Sequence, residues 1–230
     1  MATSIAWSKR SMKSYIYNSL GICAWFLYSL NAYAGDLKIK VLDQKGKSVE
    51  DAIVLATPTD LSKISKAKIK DEVIDQIDKE FVPFVKPVFV GSKVFFPNKD
   101  DVRHHVYSFS TAKTFELQLY SGKTAPPVVL DKAGIVVLGC NIHDWMLSYI
   151  YVAETPYFAK SDKDGNTHLS ELPSGEYTLK IWHPSMGMMS GELGNHVSIQ
   201  DNTSQKLDWT IAVKPIIRIP RKTPTQNNGY

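Results

Sequence analysis

The chain has 230 residues, with 27 lysines and arginines against 23 aspartates and glutamates. This near balance of charge does not indicate a nucleic-acid binder, which would concentrate positive charge. The length fits one or two domains.

Residues 1–34 have the pattern of an export signal. The leader opens with three basic residues, Lys9, Arg10 and Lys13. A mostly apolar stretch over 15–30 follows, and Ala32 and Ala34 place small side chains where a signal peptidase needs them, which predicts cleavage after Ala34. The alternative is a retained membrane anchor, but the apolar run is interrupted by polar residues and is short for a span of about 20 residues. We therefore expect a periplasmic protein with no stable membrane span after cleavage.

Removal of this leader would change the cysteine count and the charge. It would take away Cys23 and leave Cys140 as the only cysteine, with 24 basic residues against 23 acidic ones. An exported compartment is usually oxidising, so an unpaired cysteine needs a reason to persist there. Cys140 is therefore either buried and inert or held as a metal thiolate.

Beyond the leader, the sequence predicts β-strands almost throughout. Short runs that alternate apolar and polar residues recur at 37–42, 92–96, 105–109, 114–119 and 177–182. Turn residues such as those of Asp162-Lys163-Asp164-Gly165 separate such runs. This pattern predicts an all-β fold, for which a sandwich is the usual solution.

The segment around Cys140 holds three potential metal donors. Cys140, His143 and Met146 follow the spacing C-x2-H-x2-M and can converge on one ion if the chain makes a tight loop. Thiolate and thioether select copper, and imidazole suits it too. Upstream, His104 and His105 offer a further imidazole. Two histidines, one cysteine and a weak axial methionine are the ligand set of a blue-copper electron-transfer site.

This constellation resembles the cupredoxin family, and its loop spacing is most similar to that of amicyanin. The resemblance is carried by Phe81-Val82-Pro83, the strand that Gly91 starts, Asn98 six positions before His104, and the segment 134–146. It implies a Greek-key cupredoxin sandwich that holds one type I copper ion. It also implies that His104, Cys140 and His143 form a trigonal plane, with Met146 axial at a longer distance.

The adjacent pair His104 and His105 leaves the first ligand open. Neighbouring side chains of a strand point to opposite faces, so only one of the two can face a metal. The spacing from Asn98 favours His104, and His105 is the alternative. The chain departs from the family where His105 replaces the usual asparagine, and Asp144 adds a carboxylate beside His143.

The sequence on either side of this module resembles a second family. Residues 38–56 and 161–184 are similar to the strand and turn signatures of carboxypeptidase regulatory-like, transthyretin-type β-sandwich domains. We therefore expect the cupredoxin module, 71–153, to be inserted in a smaller sandwich formed by 37–58 and 154–213. The alternative is that 38–56 begin the cupredoxin module itself. The polar tail, 214–230, is expected to be disordered.

Together, the resemblance and the leader predict an exported electron-transfer protein rather than an enzyme, with redox proteins of the periplasm as its partners. The arrangement is also similar to that of exported methylamine-utilisation or plastocyanin-like proteins. Two alternatives stay open: a non-redox copper-binding or scaffold module, and a cupredoxin-like domain without metal. Neither a Ser-His-Asp pattern with a recognisable elbow nor a glycine-rich phosphate loop stands out in the sequence.

Overall fold

The structure is a computed structural model that describes residues 34–64, 69–121, 125–186, 192–214 and 216. The predicted signal peptide up to residue 33 lies outside the described residues, as does most of the predicted tail. The described residues form seventeen strands and two 3-10 helices, with no α-helix among them, and the predicted all-β class is confirmed. In this described part, no helix has the length and apolar character needed to cross a membrane.

The strands are numbered in chain order. They are β1 (Ala34–Asp43), β2 (Ile53–Pro58), β3 (Asp71–Val73), β4 (Asp75–Ile77), β5 (Glu80–Val82), β6 (Val85–Phe89), β7 (Lys93–Phe95), β8 (His104–Ser110), β9 (Lys113–Tyr120), β10 (Val128–Val129), β11 (Gly134–Gly139), β12 (Leu147–Ala153), β13 (Phe158–Lys160), β14 (Asn166–Pro173), β15 (Gly175–Trp182), β16 (Glu192–Ile199) and β17 (Ser204–Ile211). The 3-10 helices are Leu61–Lys63 and Pro184–Met186.

The first and last strands of the chain build one sandwich, called here the flanking sandwich. Its sheets have the orders β14-β1-β17 and β13-β2-β15-β16, and β1 runs parallel to β17. The alternation in β1 buries Leu37, Ile39 and Val41, which pack with Tyr177 and Leu179 of β15 in one core. Strands far apart in sequence therefore share a single apolar interior.

The middle of the chain builds a second sandwich, called here the ligand-bearing sandwich. A five-stranded sheet, β6-β12-β11-β8-β9, and a three-stranded sheet, β10-β7-β3, pack around one apolar cluster. A separate hairpin joins β4 to β5. Both residues of its turn, Asp78 and Lys79, have positive φ, 53° and 60°, which is the backbone of a two-residue type I′ turn.

A third apolar cluster connects the two sandwiches. Strand β2 buries both of its faces: Val54 lies in the flanking core, whereas Ile53 lies in a cluster with Trp182, Val85 and Tyr151. The fully buried Trp182 ring lies with its centroid 5.6 Å from that of Tyr151. The described residues belong to one compact unit, and this cluster joins its two halves.

Replacing Trp182 by alanine is expected to lower the free energy of unfolding by about 3–5 kcal/mol, because it opens a cavity at a fully buried aromatic position. Urea unfolding of the metal-free protein measures the change. The control is Phe109→Ala, since the Phe109 side chain is 78% exposed and surface changes stay within about 0.5 kcal/mol. Equal effects from the two variants would refute a stabilising role for the shared cluster.

Candidate metal centre

Three donor side chains from two separate segments converge at one end of the ligand-bearing sandwich. His104 is the first residue of β8, Cys140 directly follows β11, and His143 lies in the loop between β11 and β12. The Cys140 Sγ is 3.9 Å from His104 Nδ1 and 3.8 Å from His143 Nδ1. One donor atom from each residue lies within 4.8 Å of the others, so the group has the geometry to hold a metal ion.

Local structure explains how the loop brings Cys140 and His143 together. Strands β11 and β12 are antiparallel and end at the pair Gly139 and Leu147, so the intervening loop must turn back within seven residues. The Met146 N–H donates to the His143 carbonyl at 2.9 Å, which closes the turn. The loop therefore presents Cys140 and His143 on the same side.

Gly139 allows a close approach beside the cysteine. It pairs with Tyr107 of β8, and a Cβ atom at position 139 would lie 2.7 Å from the Tyr107 ring. Only glycine leaves the ring where it is, against the backbone that leads into Cys140. The pairing places β8, and hence His104, beside the strand that leads into Cys140.

The distances between these donors fit a single bound ion. Two donors at an angle of about 120°, through bonds of about 2.3 Å to sulfur and about 2.1 Å to nitrogen, lie about 3.8 Å apart. The two sulfur–nitrogen distances, 3.8 and 3.9 Å, agree with this value. One thiolate and two imidazoles suit copper or zinc.

Burial separates the three donors into an enclosed pair and an accessible one. His104 is fully buried and Cys140 is 4% exposed, whereas His143 is partly exposed. Burial lowers the pKa of His143, and electrostatic interactions with His104 and Lys79 lower it further against the opposing effect of Asp100. This favours the neutral imidazole, which is the form that ligates metals.

Met146, the fourth residue of the predicted set, is buried in the same apolar cluster as Cys140, with 1% of its surface exposed. The backbone hydrogen bond to His143 sets its position in the loop. Met146 therefore lies in the same loop as His143 and in the apolar cluster that includes Cys140.

The structure separates the two adjacent histidines. His104 lies beside Cys140, but His105 is on the opposite face of β8, where its Nε2 is within ion-pair distance of Glu116, at 2.9 Å from Oε1. The His105 ring also packs near Tyr107, with centroids 5.7 Å apart. Of the two, only His104 is near the other donors.

The remaining described histidines lie elsewhere and pair with polar side chains. His168 Nε2 is 3.2 Å from Asp36 Oδ2, and His196 Nδ1 is 3.3 Å from Thr178 Oγ1. Among the described residues, His104, Cys140 and His143 are the one group of this kind whose donor atoms come together.

Sequence reasoning missed Asp100, which contacts the back of a predicted ligand. Its Oδ2 is 2.7 Å from His104 Nε2. Burial would raise the pKa of Asp100, but hydrogen bonds from the Lys79 N–H, from His104 and from the Asp78 N–H outweigh it, so the pKa is below the usual value. The signal in the sequence was a carboxylate four residues before a histidine, which by itself is common.

Comparisons with known proteins give no family for this chain. No family model matches it, and no curated protein matches it.

Several solved structures are similar to part of the chain. A mutant of amicyanin, in its reduced Cu(I) form at pH 4, is 18% identical, with 43% of this chain and 98% of that chain covered and a TM-score of 0.34. A purple cupredoxin from Nitrosopumilus maritimus is 21% identical, with 36% and 100% covered and a TM-score of 0.31. A Cu-containing nitrite reductase from Thermus scotoductus SA-01 is 22% identical, with 43% of this chain but 27% of that chain covered and a TM-score of 0.35.

Proposed function

We propose that this protein is an exported type I copper protein that transfers single electrons. In this proposal, His104, Cys140, His143 and Met146 would hold the ion through two imidazoles, a thiolate and a thioether. The observation that carries the proposal is the convergence of one thiol and two imidazole nitrogens at 3.8 and 3.9 Å in a largely buried position.

The chemistry of the donors favours copper over zinc. Structural zinc sites use four cysteine or histidine ligands, and catalytic zinc sites keep an open position for water. Here the fourth candidate is a thioether, Met146, and the combination of two histidines, one cysteine and an axial methionine is typical of blue copper. A copper ion held there would alternate between Cu(I) and Cu(II) and so carry one electron at a time.

The surrounding residues favour electron transfer over catalysis. The burial of His104, Cys140 and Met146 excludes water, and four protein ligands would leave no position for a substrate. We therefore propose that the protein is not an enzyme.

His143 is the proposed exit for the electron. It is the accessible donor, and it lies between exposed apolar side chains, with Ile142 49% and Trp145 46% exposed. Asp144, also exposed, adds a negative charge at the same surface. A redox partner protein in the periplasm would dock here, so that its own cofactor comes within reach of the His143 ring.

We also propose that the flanking sandwich is a regulatory-like domain into which the ligand-bearing sandwich is inserted. The pairing of β2 with β15, on either side of the inserted segment, supports this division, as does the shared core of β1 and β15. The flanking sandwich would then act as the scaffold that carries the copper module.

The test is to purify the full chain from the periplasm of a bacterial expression host and measure its first residue, metal content and visible spectrum. We expect a chain that begins at Gly35 and holds one copper ion, with an intense sulfur-to-copper charge-transfer band. Repeated voltammetric cycles should give a reversible midpoint potential without loss of metal. Bound zinc without copper would refute the proposal, and copper loss on each cycle would favour a protein that hands over the ion instead.

A further inference from the structure

The tip of the β4–β5 hairpin contacts both segments that supply the metal donors. On one side, the backbone N–H of Asp78 donates to Asp100 Oδ1 at 2.6 Å, and the N–H of Lys79 donates to Asp100 Oδ2 at 2.9 Å. On the other side, the carbonyl of Lys79 accepts a hydrogen bond from Trp145 Nε1 at 3.1 Å. One two-residue turn therefore connects the loop before β8 with the loop after β11.

The positive φ angles of Asp78 and Lys79 make this double contact possible. A type I′ turn directs successive backbone groups away from the hairpin, where they are free to bond outside it. The Asp100 carboxylate accepts two N–H groups there, and charge-assisted bonds of this kind are stronger than neutral ones. Asp100 is also fixed from its own loop, because its N–H donates to Asn98 Oδ1 at 2.9 Å.

Asp100 in turn determines which nitrogen of His104 carries the proton. Its Oδ2 is 2.7 Å from Nε2, and an ionised carboxylate can only accept, so the proton is on Nε2. In the neutral form of the ring, which is the form that ligates metals, Nδ1 then carries the lone pair and faces Cys140. Since His104 is fully buried, water does not replace this contact.

Trp145 extends the same connection to the second imidazole. Its ring centroid is 5.2 Å from that of His143, and the His143 ring is 4.9 Å from that of His104. The hydrogen bond to the Lys79 carbonyl holds the indole in this place, so the hairpin restrains both histidines.

We propose that Asp100, Lys79 and Trp145 form a brace that positions His104 and His143 and stabilises Cu(II) relative to Cu(I) at the site. Asp100 acts as a positioning residue, because it touches the ligand and not the ion. A carboxylate bonded to a ligating histidine fixes its ring and raises its basicity. The more basic imidazole binds the ion of higher charge more tightly, which lowers the reduction potential. This inference rests on the proposed copper site.

The decisive variant is Asp100→Asn, which keeps the shape and removes the charge, with Asp101→Asn as the matched control. Asp101 is the next residue, exposed, and carries the same charge. We expect Asp100→Asn to weaken Cu(II) binding about 10–100-fold, the usual effect of losing such a partner. A tenfold loss confined to Cu(II) raises the midpoint potential by about 59 mV. Asp101→Asn should leave both quantities unchanged.

A second measurement does not depend on copper. In the metal-free protein, nitrogen NMR of the His104 ring should show the proton on Nε2, and Asp100→Asn should redistribute it, whereas Asp101→Asn should not. Trp145→Phe keeps an aromatic ring beside His143 but loses the hydrogen bond to the Lys79 carbonyl. Copper should therefore pass to a chelator about tenfold faster. The proton of the His104 ring should stay on Nε2 in this variant. This variant also carries the test if Asp100→Asn does not fold.

The outcomes separate the inference from the function it rests on. If the unmodified protein binds no copper, the proposed function is wrong. The NMR measurement then still tests whether Asp100 holds the proton of His104 on Nε2. If it binds copper and Asp100→Asn behaves like Asp101→Asn in affinity, potential and ring protonation, the brace is refuted while the copper site stands.

Discussion

Cys140→Ser is expected to abolish the intense visible band of the copper-loaded protein. The band arises from charge transfer between a thiolate and copper, and a serine hydroxyl does not form such a bond. Copper affinity should fall by more than about 100-fold, because this change removes a direct ligand and even the loss of outer partners gives 10–100-fold. Absorption spectra and competition with a chelator measure the two effects.

Met146→Leu is the matched control for this variant. It removes the thioether but keeps nearly the same volume at a position that is 1% exposed, and such swaps change stability by less than about 1.5 kcal/mol. The band should persist, since Cys140 is intact, while the midpoint potential shifts. An undiminished band in Cys140→Ser would show that the chromophore is not a bond to this cysteine and would remove the basis of the proposed site.

The second large effect is expected when the two adjacent histidines are replaced one at a time. His104→Ala removes a donor that lies 3.9 Å from the Cys140 sulfur, so copper affinity should fall by more than about 100-fold. His105→Ala breaks the contact with Glu116 on the other face of the sheet and should change the affinity by less than about threefold. Calorimetric titration with copper measures both, with thermal unfolding of the metal-free proteins to confirm that each variant is folded.

The opposite result would have a definite structural meaning. If His105→Ala lost copper and His104→Ala kept it, β8 would lie one residue out of the register seen here, because a shift by one exchanges the two faces of a strand. Equal losses from both variants would indicate that copper binding depends on the integrity of β8 rather than on one imidazole.

Strand β8 shows why the sequence alone left this choice open. Of the two faces of β8, the one with His105, Tyr107 and Phe109 has the more hydrophobic side chains. The alternating pattern of the sequence therefore predicts that this face is buried. The structure exposes Phe109 and buries Ser108 and Ser110 instead. The Ser110 hydroxyl accepts the Val137 N–H at 2.9 Å, so the serine is satisfied inside the sandwich. The side of β8 that faces the core was therefore decided by packing between sheets.

Short-range features of the structure could be predicted from the sequence. The alternating runs predicted the strands at 37–42, 114–119 and 177–182, and each lies within an observed strand. The spacing of Cys140, His143 and Met146 predicted a tight loop, and the structure has one between β11 and β12. Both depend on neighbours in the chain, because strand alternation and turn closure are properties of a few consecutive residues.

The amino-acid sequence by itself determined the all-β class, the positions of many strands and the chemical nature of a candidate donor set. Only the tertiary structure decided that His104 rather than His105 lies 3.9 Å from the Cys140 sulfur, that Asp100 bonds the far side of that imidazole, and that Lys79 reaches Trp145 across 66 positions of the chain. These contacts join segments that the chain keeps far apart. Their formation depends on sheet register and on the packing of one sheet against another, neither of which a local pattern of residues contains.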